Sequence, residues 1–383
     1  MIGSVRQMPE DAISSPRPNG VFPSQAISAV LRDGGIDSDE DIAAEQVQPS
    51  SLDLRLGSIA YRVQASFLPG PETLVGDKIR AFEMHAVDLT DGAVLEKGCV
   101  YIVPLMERLR LSERVSAFAN PKSSTGRLDV FTRLITDRAR RFDLVGPGYH
   151  GPLYAEVSPR TFSILVRAGS CLTQLRLRRG TSAIGPDELL RLHQAVGLVD
   201  TTIDRQEVRE HDSISLRLDL AGATENGLVG YRAKKHTAVI DVDRVDHYEP
   251  GDFWEPIMAR AGRGIILNPD DFYILATREA ITVPPDHAAE MVAYDTLVGE
   301  FRVHYAGFFD PGFGYDPSGG PGSRAVLEVR SHDVPFLLEH EQVVGRLRYE
   351  RLTDVPDRLY GPAIGSSYQG QALALSKQFK TVF

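Results

Sequence analysis

The feature that most constrains this 383-residue chain is that it repeats itself. Tyr101-Ile102-Val103 returns as Tyr273-Ile274-Leu275, Ala155-Glu156-Val157 as Leu327-Glu328-Val329, and Leu175-Arg176-Leu177 as Leu347-Arg348-Tyr349, each 172 positions later. A constant offset held over several elements is not a chance alignment. Upstream, Ser51–Leu56 (SLDLRL) is echoed by Ser213–Leu218 (SISLRL), both alternating as strands with one buried face do. Each is preceded by a helical stretch, 23–36 and 186–199, that opens on proline and stops near glycine. The spacing predicts two tandem copies of one domain, 1–182 and 183–383, joined near Thr181–Pro186.

Each copy is long enough to bury its own core. Within the copies, short alternating stretches dominate (100–105, 115–119, 153–157, 162–166 and 172–177), punctuated by Gly and Pro. This predicts a mainly β architecture, closed or double-sheeted, with short helices at the start of each copy. The Gly/Pro tract 311–322 reads as a loop. A 42% hydrophobic and 25% charged composition fits an ordinary soluble protein, and no apolar run approaches the ~18 residues of a membrane span. Glu10 and Asp11 stand where an export signal would be apolar, and Cys99 and Cys171 are too few for a disulfide framework. The expected location is therefore cytoplasmic. A net charge of −10 argues against a nucleic-acid polymer as partner, but leaves room for one small anion held by a local basic cluster.

Several catalytic kits are missing: there is no GxxxxGK[ST], no GxSxG and no CxxC. His247-Tyr248-Glu249 has the HxE form of a zinc deaminase, but no cysteine follows it, so no zinc is expected. Cys171 reads as a buried, inert thiol on an apolar strand. Lys122–Arg127 (KSSTGR) packs two cations, three hydroxyls and a glycine into six positions, a composition that wraps phosphate oxygens but also suits a solvated turn. The aligned stretch of the second copy, 294–300, lacks the paired serines and the arginine. Glu156 and Glu328 occupy matching strand positions, on the face opposite Leu153, Ala155 and Val157 in the first case. Each reads either as a surface carboxylate or as a general acid/base in a partly desolvated site. His304–Phe313 reads as two β stretches broken by Asp-Pro-Gly, and the Gly-rich polar tail around Tyr360–Gln371 as a disordered end or as a lid.

In their order along the chain, Gln48–Gly57, Lys122–Arg127, Ala306–Gly312, the two Glu strands and Tyr368–Gln371 resemble the dCTP deaminase family, which shares the trimeric β fold of dUTPases. The resemblance spans roughly 21–371. It implies two tandem dUTPase-like β-barrel (β-clip) domains with short helices, and metal-free hydrolysis of dCTP to dUTP and ammonia. Glu156 or Glu328 would activate water for attack at C4 of cytosine. Arg127 would steady the developing charge, and Ser123 would hydrogen-bond near the reacting centre. Lys122 and Ser124 would hold the triphosphate with its Mg²⁺. Ala306 would offer its carbonyl to water, Asp310 would meet the deoxyribose, and Tyr360 and Gln371 would close over the nucleotide. The resemblance also implies dTTP as a feedback inhibitor and a homo-oligomer with a trimer-like domain arrangement.

The chain departs from the family pattern where Lys122 replaces an arginine and Ser367 a tail lysine. The phosphate loop is intact only in the first copy, the sugar hairpin and tail only in the second. Two arrangements follow: a composite site joining Lys122–Arg127 to Ala306–Asp310 and Glu328, or a site in which Glu156 works with a loop from another first-copy domain. Two other readings stand beside deamination. One is a dUTP diphosphatase, or a bifunctional enzyme giving dUMP with Asp310 as base, although the FGSTG-type closing motif is missing. The other is a non-catalytic nucleotide-binding assembly protein.

Overall fold

The computed structural model describes residues 17–222, 227–260, 262, 264–293, 301–304, 307–317, 320–331 and 333–381. The chain divides into two compact units that do not follow the sequence halves. An N-terminal unit holds 24–180 and takes back 234–254 and 375–381 from the second half; a C-terminal unit holds 181–233 and 255–374 and takes 17–23 from the first. The expected cut at 182/183 falls beside one crossing, at Thr181, but the exchanged segments carry no periodicity that would have revealed them.

In the N-terminal unit the strands are β1 Leu52–Arg55, β2 Ile59–Val63, β3 Glu83–Asp88, β4 Val100–Arg110, β5 Val115–Pro121, β6 Val130–Thr136, β7 His150–Pro159 and β8 Cys171–Arg179. They form one sheet in the order β3-β2-β4-β7-β6 and a second in which β1 and β5 flank β8. In the C-terminal unit the strands are β9 Ile214–Arg217, β10 Leu228–Ala233, β11 Trp254–Met258, β12 Phe272–Ile281, β13 His287–Ala293, β14 Phe301–His304, β15 Ser323–Ser331 and β16 Val343–Arg351. Their sheets run β11-β10-β12-β15-β14 and β9-β16-β13, the same two pairings strand for strand. The protein is mainly β with few, short helices.

The alternation behind these strands works as the sequence reading expects. Leu52, Leu54 and Leu56 of the first copy are fully buried, as are Leu216 and Leu218 of the second. Each such side chain contributes about 1.5–3 kcal/mol. Helices α1 Ser24–Arg32 and α4 Pro186–Val196 fall within the two expected helical stretches. Pro186 and acidic Asp187 and Glu188 open α4, and left-handed Gly197 closes it. Two further helices are additions to that reading: α2 Val75–Phe82 and α5 Arg205–His211, the latter capped by Asp204. No helix among the described residues is long and apolar enough to cross a membrane.

Candidate active site

In the N-terminal unit β5 runs directly into a single helical turn, α3 Ser123–Gly126. Lys122 enters it in extended conformation, and its carbonyl accepts from the amides of Thr125 (2.8 Å) and Gly126 (3.0 Å). The KSSTGR stretch is thus not a solvated turn: Ser124, Thr125 and Arg127 are buried, Arg127 to 3% exposure, while Lys122 and Ser123 are half-buried. The Lys122 ammonium pairs with Asp53 of β1. The returning C-terminal segment braces the turn: Ser376 donates its hydroxyl to the Ser124 carbonyl at 2.7 Å, and Arg127 reaches the Leu375 carbonyl at 3.4 Å. A cavity of about 250 Å³ opens beside α3, lined by Lys122, Ser124, Asp53, Lys377 and Cys171 among others. Burial pushes the Cys171 thiol up to about 12, which keeps it protonated and unreactive.

The two matching glutamates have different surroundings. Glu156, on β7, is no surface carboxylate: it is 1% exposed and receives two hydrogen bonds from Arg133 of β6, at 2.5 and 3.1 Å. The Arg133 guanidinium is itself stacked over Phe142, 3.5 Å from the ring centre. Register places Arg133 and Ile102 opposite Glu156. Ile102 belongs to an apolar cluster with Ile135 and with Val75 and Ile79 of α2, against which Tyr154 packs. The face that carries Glu156 is therefore lidded by α2. Nearby Asp143 is pushed up to about 7, chiefly by burial, while its Oδ1 accepts the Leu134 amide at 2.7 Å.

Glu328, on β15, is also buried, at 5% exposure. Ile274 stands opposite it on β12, and on β14 the register position is His304 rather than an arginine. The stretch matching the α2 region, 234–254, belongs to the N-terminal unit, so among the described residues no counterpart of α2 packs on this face within the C-terminal unit.

The sugar hairpin and tail lie together in the C-terminal unit. Half-buried Asp310 opens a turn in which Phe313 donates its amide to the Asp310 carbonyl at 3.0 Å. The Tyr360 amide donates to Pro311 at 2.8 Å, and its ring packs against Phe313. The tail is ordered along this hairpin and strand. Gln369 bonds Gly314 and Gly312, Gly370 bonds Ser323, and Gln371 exchanges two 3.0 Å hydrogen bonds with the backbone of Arg324. The disordered-end expectation is corrected: the tail's backbone and glutamines are hydrogen-bonded along the hairpin, and Gly312, where a Cβ would stand 3.0 Å from the Tyr360 backbone, lets it approach. Ala306 and 294–300 lie outside the described residues.

The structure thus gathers Lys122, Ser123, Ser124 and Arg127 in one unit, with Glu156 on a separate lidded face, and Asp310, Tyr360, Gln371 and Glu328 in the other. Asp53 and Lys377 were missed by the sequence reading. Asp53 sits inside an alternating strand whose leucines gave the only signal, and Lys377 lies beyond the last motif. His247 and Glu249 do not form a metal cluster: among the described residues no three His, Cys, Asp or Glu side chains gather as a metal-holding group.

Two family models match, the N-terminal domain of 2'-deoxycytidine 5'-triphosphate deaminase over 18–181 and its C-terminal domain over 186–379. A crystal structure of 2'-deoxycytidine 5'-triphosphate deaminase from Agrobacterium tumefaciens is 58% identical with a TM-score of 0.83, covering 88% of this chain and all of that one. Among curated relatives, a "dCTP deaminase, dUMP-forming" of Halobacterium salinarum is 35% identical over 133 residues, 34% of this chain and 61% of its own length. One of Mycolicibacterium vanbaalenii is 30% identical over 141 residues, 35% of this chain and 70% of its own. The chain therefore spans less than two thirds of the halobacterial relative. With both halves matched in order, this chain belongs to the 2'-deoxycytidine 5'-triphosphate deaminase family.

Proposed function

We propose that this chain deaminates dCTP hydrolytically, with Glu328 as the general acid/base. Water adds to C4 of cytosine as Glu328 takes one of its protons and passes it to N3. The proton of the new C4 hydroxyl is then relayed by Glu328 to the exocyclic nitrogen, which leaves as ammonia, and C4 becomes a carbonyl. Arg127 steadies charge at the reacting centre, Ser123 hydrogen-bonds beside it, and Lys122 and Ser124 hold a triphosphate that arrives with Mg²⁺. Asp310, Ala306, Tyr360 and Gln371 serve the sugar and the closure of the site. The observation that carries the assignment is the contrast in register: Glu156 is paired with Arg133 of β6 beneath α2, whereas His304 holds the matching register position opposite Glu328. We read the matching strand orders as two tandem copies of a dUTPase-like barrel. In a homo-oligomer with threefold-like domain packing, sites would combine the loop of a first copy with the hairpin and Glu328 of a second.

A second reading, release of dUMP, is favoured by the names of the curated relatives, which are dUMP-forming. Incubating the protein with dCTP and Mg²⁺ while assaying ammonia and pyrophosphate separately decides between them. Ammonia alone supports dUTP as product, and ammonia with pyrophosphate supports dUMP. Neither product, with nucleotide binding retained, would leave a non-catalytic binding protein and overturn both.

A further inference from the structure

The cavity beside α3 is lined by two lysines from distant parts of the chain: Lys122 at the mouth of the turn and Lys377 on the returning C-terminal segment. Ser124 and Thr125 line it with them. Bringing two ammonium groups into one partly desolvated pocket is unfavourable unless negative charge comes too. Some is already present. Asp53 pairs with Lys122, Asp243 is held by Arg167 at 2.7 Å and by the Ser170 hydroxyl at 2.6 Å, and Glu45 also lines the cavity. Among the described residues these carboxylates are not gathered as a metal-holding group. The ammonium of Lys377 is depressed below its usual range, first by burial and then by Lys122.

The position of Lys377 is fixed from both sides. Ser376 bonds the Ser124 carbonyl, and Gln378 donates to the Val242 carbonyl at 2.6 Å. Phe379 is seated against the rings of Phe253 (5.4 Å) and Trp254 (5.9 Å). A cation held this way loses little further freedom on meeting an anion.

We propose that Lys377 is a phosphate-binding residue, and that with Lys122 and Ser124 it makes this cavity the seat of the phosphoryl groups of a nucleoside triphosphate. The identity of the nucleotide rests on the deaminase reading above; the anion site does not. Lys122 exchanges Asp53 for phosphate oxygen on binding, and Lys377 supplies a second charge-assisted hydrogen bond.

The test is calorimetric titration of inorganic tripolyphosphate into the full-length protein and its K377M, K377Q and K377R variants. Wild type is expected to bind, and at alkaline pH to take up protons as it does so, because an anion restores the proton affinity that burial lowers. K377M and K377Q should bind about tenfold or more weakly and lose the proton uptake. K377R should stay close to wild type. The two neutral variants guard against one that fails to fold, which a thermal midpoint would reveal. Absence of binding to wild type, or equal binding to wild type and a folded neutral variant, overturns the proposal. The probe carries no base or sugar, so a protein that binds tripolyphosphate through Lys377 yet frees no ammonia from dCTP would sink the deaminase reading alone.

Discussion

The sheet β3-β2-β4-β7-β6 of the N-terminal unit and its counterpart β11-β10-β12-β15-β14 in the C-terminal unit carry a glutamate at the same place but finish that face differently. In the first, the connection after β2 folds back as α2, seals the face with Val75 and Ile79, and leaves Glu156 to Arg133. In the second, the matching connection is given up to the other unit. A carboxylate closed in by an arginine and an apolar lid holds structure; the matching carboxylate, with His304 at the register position of that arginine, is the one proposed above to meet substrate. The contrast teaches that similar strand sequences do not imply similar chemistry, because the loops between them decide what reaches the face.

Exchanging the glutamates for glutamine is the strongest attempt to break that contrast. E328Q should lower kcat for dCTP about 10²–10⁴-fold with little change in thermal midpoint, the usual scale of a lost general acid/base. E156Q should leave kcat within a few-fold but destabilise the fold by about 1–3 kcal/mol, since Arg133 loses its charged acceptor. Because Arg133 keeps some solvent exposure, the lower end of that range is expected. Full turnover in E328Q with none in E156Q would reverse the comparison.

The parts of this contrast that were legible in the sequence follow from local pattern. Alternation in SLDLRL and SISLRL marks β1 and β9, and the 172-residue offset marks the duplicated order. The pairing of Glu156 with Arg133 was not legible, since it depends on how β6 and β7 fall in register, and alternation alone made Glu156 look like a surface residue. Ile240 is hidden for a similar reason. It completes a small sheet beside Ile164 of the N-terminal unit, 76 positions earlier, and its own neighbourhood has no period. The α2 helix could have been found: Val75, Ile79 and Phe82 are spaced as one helical face, although Gly76 weakens the signal.

The lidded face should also announce itself in the pH dependence of stability rather than of turnover. Asp143 has a folded value of about 7 against roughly 3.9 unfolded, so between these pH values the folded form keeps a proton the unfolded chain releases. Stability from this group is therefore greatest in acid and is lost as pH rises from about 4 to 7. D143N keeps a side-chain oxygen for the Leu134 amide and removes the titration. Relative to wild type it should gain stability across that window, by at most about 4 kcal/mol, in thermal unfolding measured at pH 4 through 8. An unchanged difference between the two proteins across the window would mean that water reaches this face.

Two glycines give the finest form of the comparison. Gly148 and Gly312 each follow a proline, and both lie at positive φ, +70° and +95°. A Cβ on Gly148 would meet the Glu113 carboxylate, 2.7 Å away at the far end of a flexible side chain, so G148A should cost little beyond the 1–2 kcal/mol of its backbone conformation. A Cβ on Gly312 would meet Leu359 Cβ at 2.9 Å and the Tyr360 backbone at 3.0 Å, which cannot yield without shifting the tail. G312A should therefore cost about 1–3 kcal/mol more. Because the displaced segment carries Tyr360, it should also raise KM for dCTP more than G148A does. Equal effects on KM would separate the tail from nucleotide closure, since the backbone penalty is common to both glycines and only the contact with Tyr360 distinguishes them.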